Sequence, residues 1–258
     1  MKDLKVKVLS NAPIASGIYR MEFALPEETE GMRCGKFLNI SVGDGAHLLR
    51  RPIAICEYEK DRAAICYQIK GEGTKKLSEK RAGDELSCLL PLGNGFVLSD
   101  GWKKIALVGG GVGVFPMYSV LKEYENADKI FYTFLGFRNA GAVCMEEEFS
   151  KLSRSVQIVT DDGSYKKKSN AVAAFFDAAD SGEKFDAILS CGPVPMLRAL
   201  KEEMRARGLE IPCFVSLEER MGCGVGACLV CVCKRQGGKE NARVCKDGPV
   251  FSIDEVEI

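Results

Sequence analysis

Over the first hundred residues, apolar and polar positions alternate in short strings. LKVKVLS (4–10), GIYRMEFAL (17–25), FLNISV (37–42), AAICYQI (63–69) and ELSCLLPL (85–92) are separated by Gly-Asp pairs and prolines. A period of two puts every other side chain on one face, so these strings predict short antiparallel strands closing into a barrel or sandwich. Near Gly101 the pattern changes. KKIALVGGGVGVFPMYSVLKEY (103–124) reads as a buried strand, a glycine turn and a helix. KIFYTFLGF (129–137), VQIVT (156–160) and FDAILSCG (185–192) read as further buried strands, and NAVAAFFDAA (170–179) and VPMLRALKEEMRARG (194–208) as helices. Strand–helix alternation of this kind implies a doubly wound parallel sheet. From about Val215 the chain turns glycine- and cysteine-rich, and so short a segment buries little apolar area by itself. The expectation is an α+β multidomain protein: an antiparallel barrel over 1–100, an α/β domain over 101–214 and a small cysteine-rich subdomain over 215–258, the last held by a metal centre.

Composition narrows the chemistry. Lys+Arg and Asp+Glu both number 36, so there is none of the basic excess that nucleic-acid binding needs. MKDLKVKVLS reads as a first strand and not as a secretory leader. IALVGGGVGVFPMYSVL (105–121) is broken by Gly and Pro short of the roughly 20 apolar residues of a membrane span. A cytoplasmic protein with reduced thiols is expected, most of its 12 cysteines serving as small core residues. With one histidine, His47, neither a Ser-His-Asp triad nor a multi-histidine metal site is available.

The cysteines cluster in MGCGVGACLVCVC (221–233). Cys223, Cys228 and Cys231 are spaced C-x4-C-x2-C, and Cys245 follows, the order of plant-type ligands to a 2Fe–2S cluster. Gly222, Gly224 and Gly226 let the backbone fold closely around inorganic sulfide, with N–H groups free to donate to sulfur. Cys245 is favoured as fourth ligand over Cys233, whose C-x-C pairing with Cys231 strains convergence. Zinc also uses C-x2-C, but the x4 gap breaks the usual pair of knuckles.

Two stretches of the first region suggest phosphate binding. RRPIAIC (50–56) sets Arg51 and Pro52 at the head of an apolar strand, where a guanidinium can hold a pyrophosphate. In YQIKGEGTKKLS (67–78), Gly71 and Gly73 open the backbone and Thr74 offers a hydroxyl near a helix start. An ordinary turn accounts for either stretch alone. In the second region Gly109, Gly110, Gly111 and Gly113 follow a strand, with Pro116 in the first helical turn, so a pyrophosphate can approach the backbone closely. Cys191, Gly192 and Pro193 end another parallel strand, where ligands of such sheets bind; TDDG (160–163) ends a third. KKK (166–168) reads as a solvated face.

RPIAI, YQIKGEGT, GGGVGVFPM and CGPVPM, in this order, resemble the ferredoxin–NADP reductase superfamily. CGVGACLVC and VCKDGPVF are most similar to its family of electron-transfer subunits of type B dihydroorotate dehydrogenase. The resemblance implies a Greek-key flavin barrel with FAD on Arg51, Pro52, Ile53, Ala54, Tyr67, Gln68, Ile69, Gly73 and Thr74. It implies NAD on Gly109, Gly111, Gly113, Cys191, Gly192 and Pro193, with Cys191 under the nicotinamide. It also implies a relay in pyrimidine biosynthesis, from an FMN-containing catalytic partner through 2Fe–2S and FAD to NAD+, in a heterotetramer of two copies of each chain. The orotate-forming site lies on the partner. Ala54 departs from the Ser or Thr usual beside flavin N5, leaving a backbone N–H for that role. The alternatives are a ferredoxin or sulfide reductase subunit, whose relatives tend to carry aspartate where this chain has Cys223, and a zinc-binding regulatory protein without enzymatic activity.

Overall fold

The computed structural model describes residues 1–26, 29–43, 45, 47–238 and 240–258. Six strands build the first unit: β1 (Lys2–Ala15), β2 (Ile18–Ala24), β3 (Phe37–Ile40), β4 (Arg51–Tyr58), β5 (Arg62–Gln68) and β6 (Glu85–Leu92). They close in the order β1-β2-β5-β4-β3-β6, every neighbour antiparallel. The period of two does what it predicts: Val6 and Val8 are buried between exposed Lys5 and Lys7, and Leu86, Cys88 and Leu90 alternate inward along β6. Helix α1 (Glu72–Ser78) caps one barrel end and drives Leu77 into the core.

The second unit runs β7 (Lys104–Gly110), α2 (Val114–Glu123), β8 (Ile130–Phe137), α3 (Glu146–Leu152), β9 (Ser155–Thr160), β10 (Lys167–Lys168), α4 (Ala171–Asp180), β11 (Ala187–Cys191), α5 (Val194–Ala206) and β12 (Cys213–Ser216). Its sheet is buried on both faces, which is why β7 reads as an unbroken apolar run. Ile105 and Leu107 face α2 and α3, whereas Ala106 and Val108 face α4 and α5. Helix α2 also packs on the barrel, so its residues Val114 to Leu121 are buried throughout. There Gly35 N donates to Ser119 Oγ at 3.2 Å, and Cys34 N and Tyr58 Oη both donate to Glu123. The lysine run lies partly in β10, exposed as expected, with Lys166 paired to Glu146.

The C-terminal segment holds β13 (Val232–Cys233), β14 (Ala242–Arg243), α6 (Val244–Asp247) and β15 (Val250–Ser252). It is less separate than its composition suggests. Strand β15 joins the large sheet, order β10-β9-β8-β7-β11-β12-β15, as its antiparallel edge beside β12. Val244, Phe251, Ile253 and Val256 share a core with Leu197, Leu200 and Val215. Lys201, buried on α5, donates Nζ to Val256 O at 2.6 Å. Apolar burial therefore holds the segment as well, contrary to the expectation that a metal centre must do so alone. Asn94, just past the barrel, bonds both ways to it: Nδ2 donates to Val250 O at 2.8 Å, and Val250 N donates to Oδ1 at 3.1 Å. Among the described residues, no helix is long and apolar enough to cross a membrane.

Candidate functional site

Barrel, sheet and C-terminal segment meet around a cavity of about 230 Å³. The barrel contributes Pro52, Ile53 and Ala54 from β4, Tyr67 and Gln68 from β5, and Thr74 from α1. Val112 comes from the turn after β7, Phe115 and Pro116 from the start of α2 and Cys191 from the end of β11, and Ser216 to Glu219, Met221 and Pro249 close the far side. Arg51 precedes the lining residue Pro52 without lining the cavity itself, and its guanidinium donates to Leu49 O. Its guanidinium lies over Gly73, where a Cβ would come within 2.3 Å of Nε; only glycine permits this approach without displacing the side chain. A cation held over open backbone beside a half-apolar cleft suits a flavin with a pyrophosphate tail. Tyr67 is buried, stacked on Tyr19 at 6.0 Å between ring centres, and donates its hydroxyl to Asn11 at 3.0 Å.

Two expected contributors are otherwise engaged. The Thr74 hydroxyl accepts from Lys70 N at 2.9 Å and Gly71 N at 3.2 Å, shaping the turn that starts α1. Ile69 N donates to Gly17 O at 2.9 Å, extending the β2–β5 ladder. Both keep the strand end and turn in place beneath the cleft.

On the sheet side, the glycine turn packs against the end of β11. A Cβ on Gly113 would lie 2.2 Å from Cys191 O and 2.7 Å from Gly192 N, and one on Gly110 2.6 Å from Met196 Sδ. Gly109 is pressed on Val114, with Cα 3.1 Å from its virtual Cβ, while Gly111 has φ +55° and open space around it. Gly192 lies against Met196, and Pro193 precedes α5 as its cap. The two strand ends thus interlock at the carboxyl edge of the sheet, where α/β ligands bind. Burial pushes the Cys191 thiol up, so it is neutral and unsuited to act as a nucleophile.

The cysteine loop lies on the same side. Cys223 Sγ accepts from Val225 N (3.4 Å), Ala227 N (3.3 Å) and Cys228 N (3.4 Å). Cys245 Sγ accepts from Gly226 N at 3.1 Å, and Cys231 Sγ from Cys245 N at 3.4 Å. Gly224 (φ +75°) and Gly226 (φ +82°) bend the loop to aim these N–H groups inward. Burial works against ionisation of Cys223, but the backbone donors outweigh it and bring its pKa down to about 6. Cys245 is pushed up to about 12 by burial and by its contact with Cys231. The cysteines meet as two pairs: Cys223 and Cys228 each donate N–H to the other's Sγ, and Cys245 N donates to Cys231 Sγ. Two irons with two thiolates each fit such a set, and the N–H web supplies the donors that sulfur ligands need. Cys233 stands on the β13–β14 ribbon, half-buried and paired with Ala242.

Residues 218–257 match the model of the iron–sulfur cluster binding domain of dihydroorotate dehydrogenase B, and 107–202 match an oxidoreductase NAD-binding domain. A dihydroorotate dehydrogenase B (NAD(+)) electron transfer subunit of Bacillus pumilus is 41% identical over 265 residues, covering 100% of this chain and 99% of that one. The chain belongs to this family. A second relative of the same name, from Caldanaerobacter subterraneus, is 41% identical over 98% of both chains. Among solved structures, an NADH-dependent reduced ferredoxin-NADP oxidoreductase superposes with TM-score 0.84 at 26% identity, over 98% of this chain and 89% of that one. Phthalate dioxygenase reductase shares the fold at TM-score 0.67 and 19% identity, over 98% of this chain and 94% of the other. The family's fold, a flavin barrel joined to a nucleotide sheet and an iron–sulfur segment, is the one the sequence predicts.

The sequence reading missed the cleft wall after β12, Ser216 to Glu219, and Met221 and Pro249 beyond it. Its signal was present: CFVS precedes it as a short apolar run, and the carboxyl end of a parallel strand is a ligand position. Asn39 was missed as well, as a polar residue inside a barrel strand.

Proposed function

We propose that this chain is the electron-transfer subunit of an NAD+-linked, cytoplasmic dihydroorotate dehydrogenase of pyrimidine biosynthesis. An FMN-bearing catalytic subunit is its partner, in a heterotetramer with two copies of each. The carrying observation is the pair-wise thiol loop standing beside the barrel–sheet cleft. When bound, the cluster supplies one-electron chemistry and FAD supplies hydride exchange with the nicotinamide. Cys223, Cys228, Cys231 and Cys245 hold the cluster. Arg51, with Gly73 beneath it, holds the flavin pyrophosphate, and Pro52, Ile53, Ala54, Tyr67 and Gln68 wall the flavin ring. Gly109, Gly111, Gly113, Cys191, Gly192 and Pro193 receive the nicotinamide nucleotide. Ala54 has no hydroxyl, so backbone N–H groups of β4 serve the ring edge.

The testing experiment is anaerobic mixing of the purified chain with NADH, which should bleach the flavin band without any partner. Gly113→Ala should slow that step on the order of tenfold or more, about 1.4 kcal/mol, because the added methyl forces β11 and the turn apart. Flavin content should not change. Failure of NADH to bleach a fully loaded chain overturns the reading. Gly111, with open space around it, is a poor place to crowd the turn; a branched residue there suffers from its backbone angle instead.

The apolar residues of the loop divide. Met221 and Val225 pack back on the core, whereas Leu229 and Val230 are 61% and 53% exposed. Leu229 and Val230 are our candidates for partner contact, since exposed apolar side chains beside an electron-transfer centre suit an interface. Leu229→Glu should weaken assembly by roughly tenfold or more, as read by analytical ultracentrifugation, with the iron retained. Val225→Glu should instead lower the thermal stability of the isolated chain. Undiminished assembly in Leu229→Glu moves the docking surface elsewhere.

A further inference from the structure

Asn39 sits in the middle of β3, paired with Pro52 of β4 and Leu89 of β6. Its neighbours Leu38 and Ile40 point into the barrel core, so Phe37 and Asn39 point out of it, towards the C-terminal segment. Phe37 reaches the flavin cleft. Asn39 instead meets the cysteine loop: a Cβ on Gly224 would lie 2.8 Å from Asn39 Nδ2. The Asn39 side chain is 0% exposed, and neither Nδ2 nor Oδ1 has a hydrogen-bond partner. A buried amide left unpaired is costly, and a leucine of similar size would avoid that cost. The amide is therefore placed for something that occupies the loop.

The loop's neighbouring groups say what that is. Gly224 follows Cys223, and the N–H groups of Val225, Gly226, Ala227 and Cys228 already turn towards thiol sulfur. An amide NH2 brings two more donors from the barrel side, and sulfur atoms are the acceptors at hand. Resting on the cluster reading above, we propose that Asn39 donates an Nδ2–H bond to a sulfur of the bound 2Fe–2S cluster and so raises the cluster's reduction potential. The direction follows from charge. Reduction adds one negative charge to the cluster, and a fixed donor favours the more negative state.

The test is a potentiometric titration of the fully loaded chain, with the reduced cluster followed by electron paramagnetic resonance and the flavin by its visible band. Iron and sulfide are assayed first. Asn39→Leu should keep both and shift the cluster's oxidised-to-reduced ratio about tenfold towards oxidised at fixed ambient potential, a midpoint about 59 mV lower for one electron. The flavin midpoint should not move. An unmoved cluster midpoint in a loaded variant overturns the proposal, as does a shift in the flavin midpoint in place of the cluster's. Should the variant fail to load, wild-type protein carrying 15N in its asparagine side chains decides: the reduced cluster should show a weak 15N coupling, and its absence overturns the proposal. Wild-type protein without iron refutes the cluster reading itself, and this inference with it.

Discussion

Replacing Cys223, Cys228, Cys231 or Cys245 by serine, one at a time, should take the chain from about two irons and two sulfides to nearly none, whereas Cys233→Ser should keep both. The four cysteines share one web of backbone donors and meet as two pairs, so on the proposed ligand set loss of any one would leave an iron with a single thiolate. Dihydroorotate-driven NAD+ reduction in the assembled enzyme should fall more than a hundredfold, on the order of 2.7 kcal/mol or more in barrier. NADH oxidation by an artificial acceptor should survive, because most of the flavin cleft's wall comes from the barrel and the nucleotide sheet rather than from the cysteine loop. The fold should survive too. Residues 250–256 are held by β12 and by the core around Leu197 and Val215, so melting should shift without becoming uncooperative. Full iron in Cys245→Ser, with loss in Cys233→Ser, would hand the fourth ligand to Cys233.

Arg51→Ala should lower FAD affinity by roughly 10- to 100-fold, the worth of one charge-assisted contact of about 1.5–3 kcal/mol. Gly73→Ala should act in the same direction by a different route. Its new methyl occupies the space of the guanidinium, 2.3 Å from Nε, and pushes that group off the backbone it lies on. Iron content should be unchanged in both variants, which separates flavin loss from general unfolding. Thr74→Val gives the control. The Thr74 hydroxyl already accepts two N–H groups of its own turn, so any flavin loss in that variant should come with a loosened α1, read by hydrogen exchange at Lys70 and Gly71. Unchanged FAD affinity in both Arg51→Ala and Gly73→Ala would remove Arg51 from the site.

The strands and the iron–sulfur character of the C-terminal segment were legible because each rests on a local rule. Alternation in LKVKVLS and ELSCLLPL records one wet and one buried face, and C-x4-C-x2-C records what a single loop can wrap around two irons. What escaped depends on distant partners. Strand β15 is three residues long and exists because β12 offers it an edge. Asn39 reads as an interruption of an apolar strand, and its meaning depends on Gly224, almost two hundred positions away in the chain. Ser216 to Glu219 follow too short a run to declare a strand, although the rule that ligands gather at carboxyl ends would have pointed to them.

The clasp of Asn94 on Val250 has a consequence for how the molecule is made. Its two partners are 156 positions apart, so at ribosomal speeds of about 5–20 residues per second the first waits roughly 8–30 s for the second. Through that interval the barrel mouth stays uncovered on the nascent chain, and the edge of β12 does so from its own synthesis until β15 follows it. Cys245 emerges just ahead of the clasp, after Cys223, Cys228 and Cys231. On the proposed ligand set, iron delivered early meets three of the four thiols and an unfinished sheet, and iron delivered late meets all four beside a completed one. Residues 245–252 therefore complete both the large sheet and the proposed ligand set.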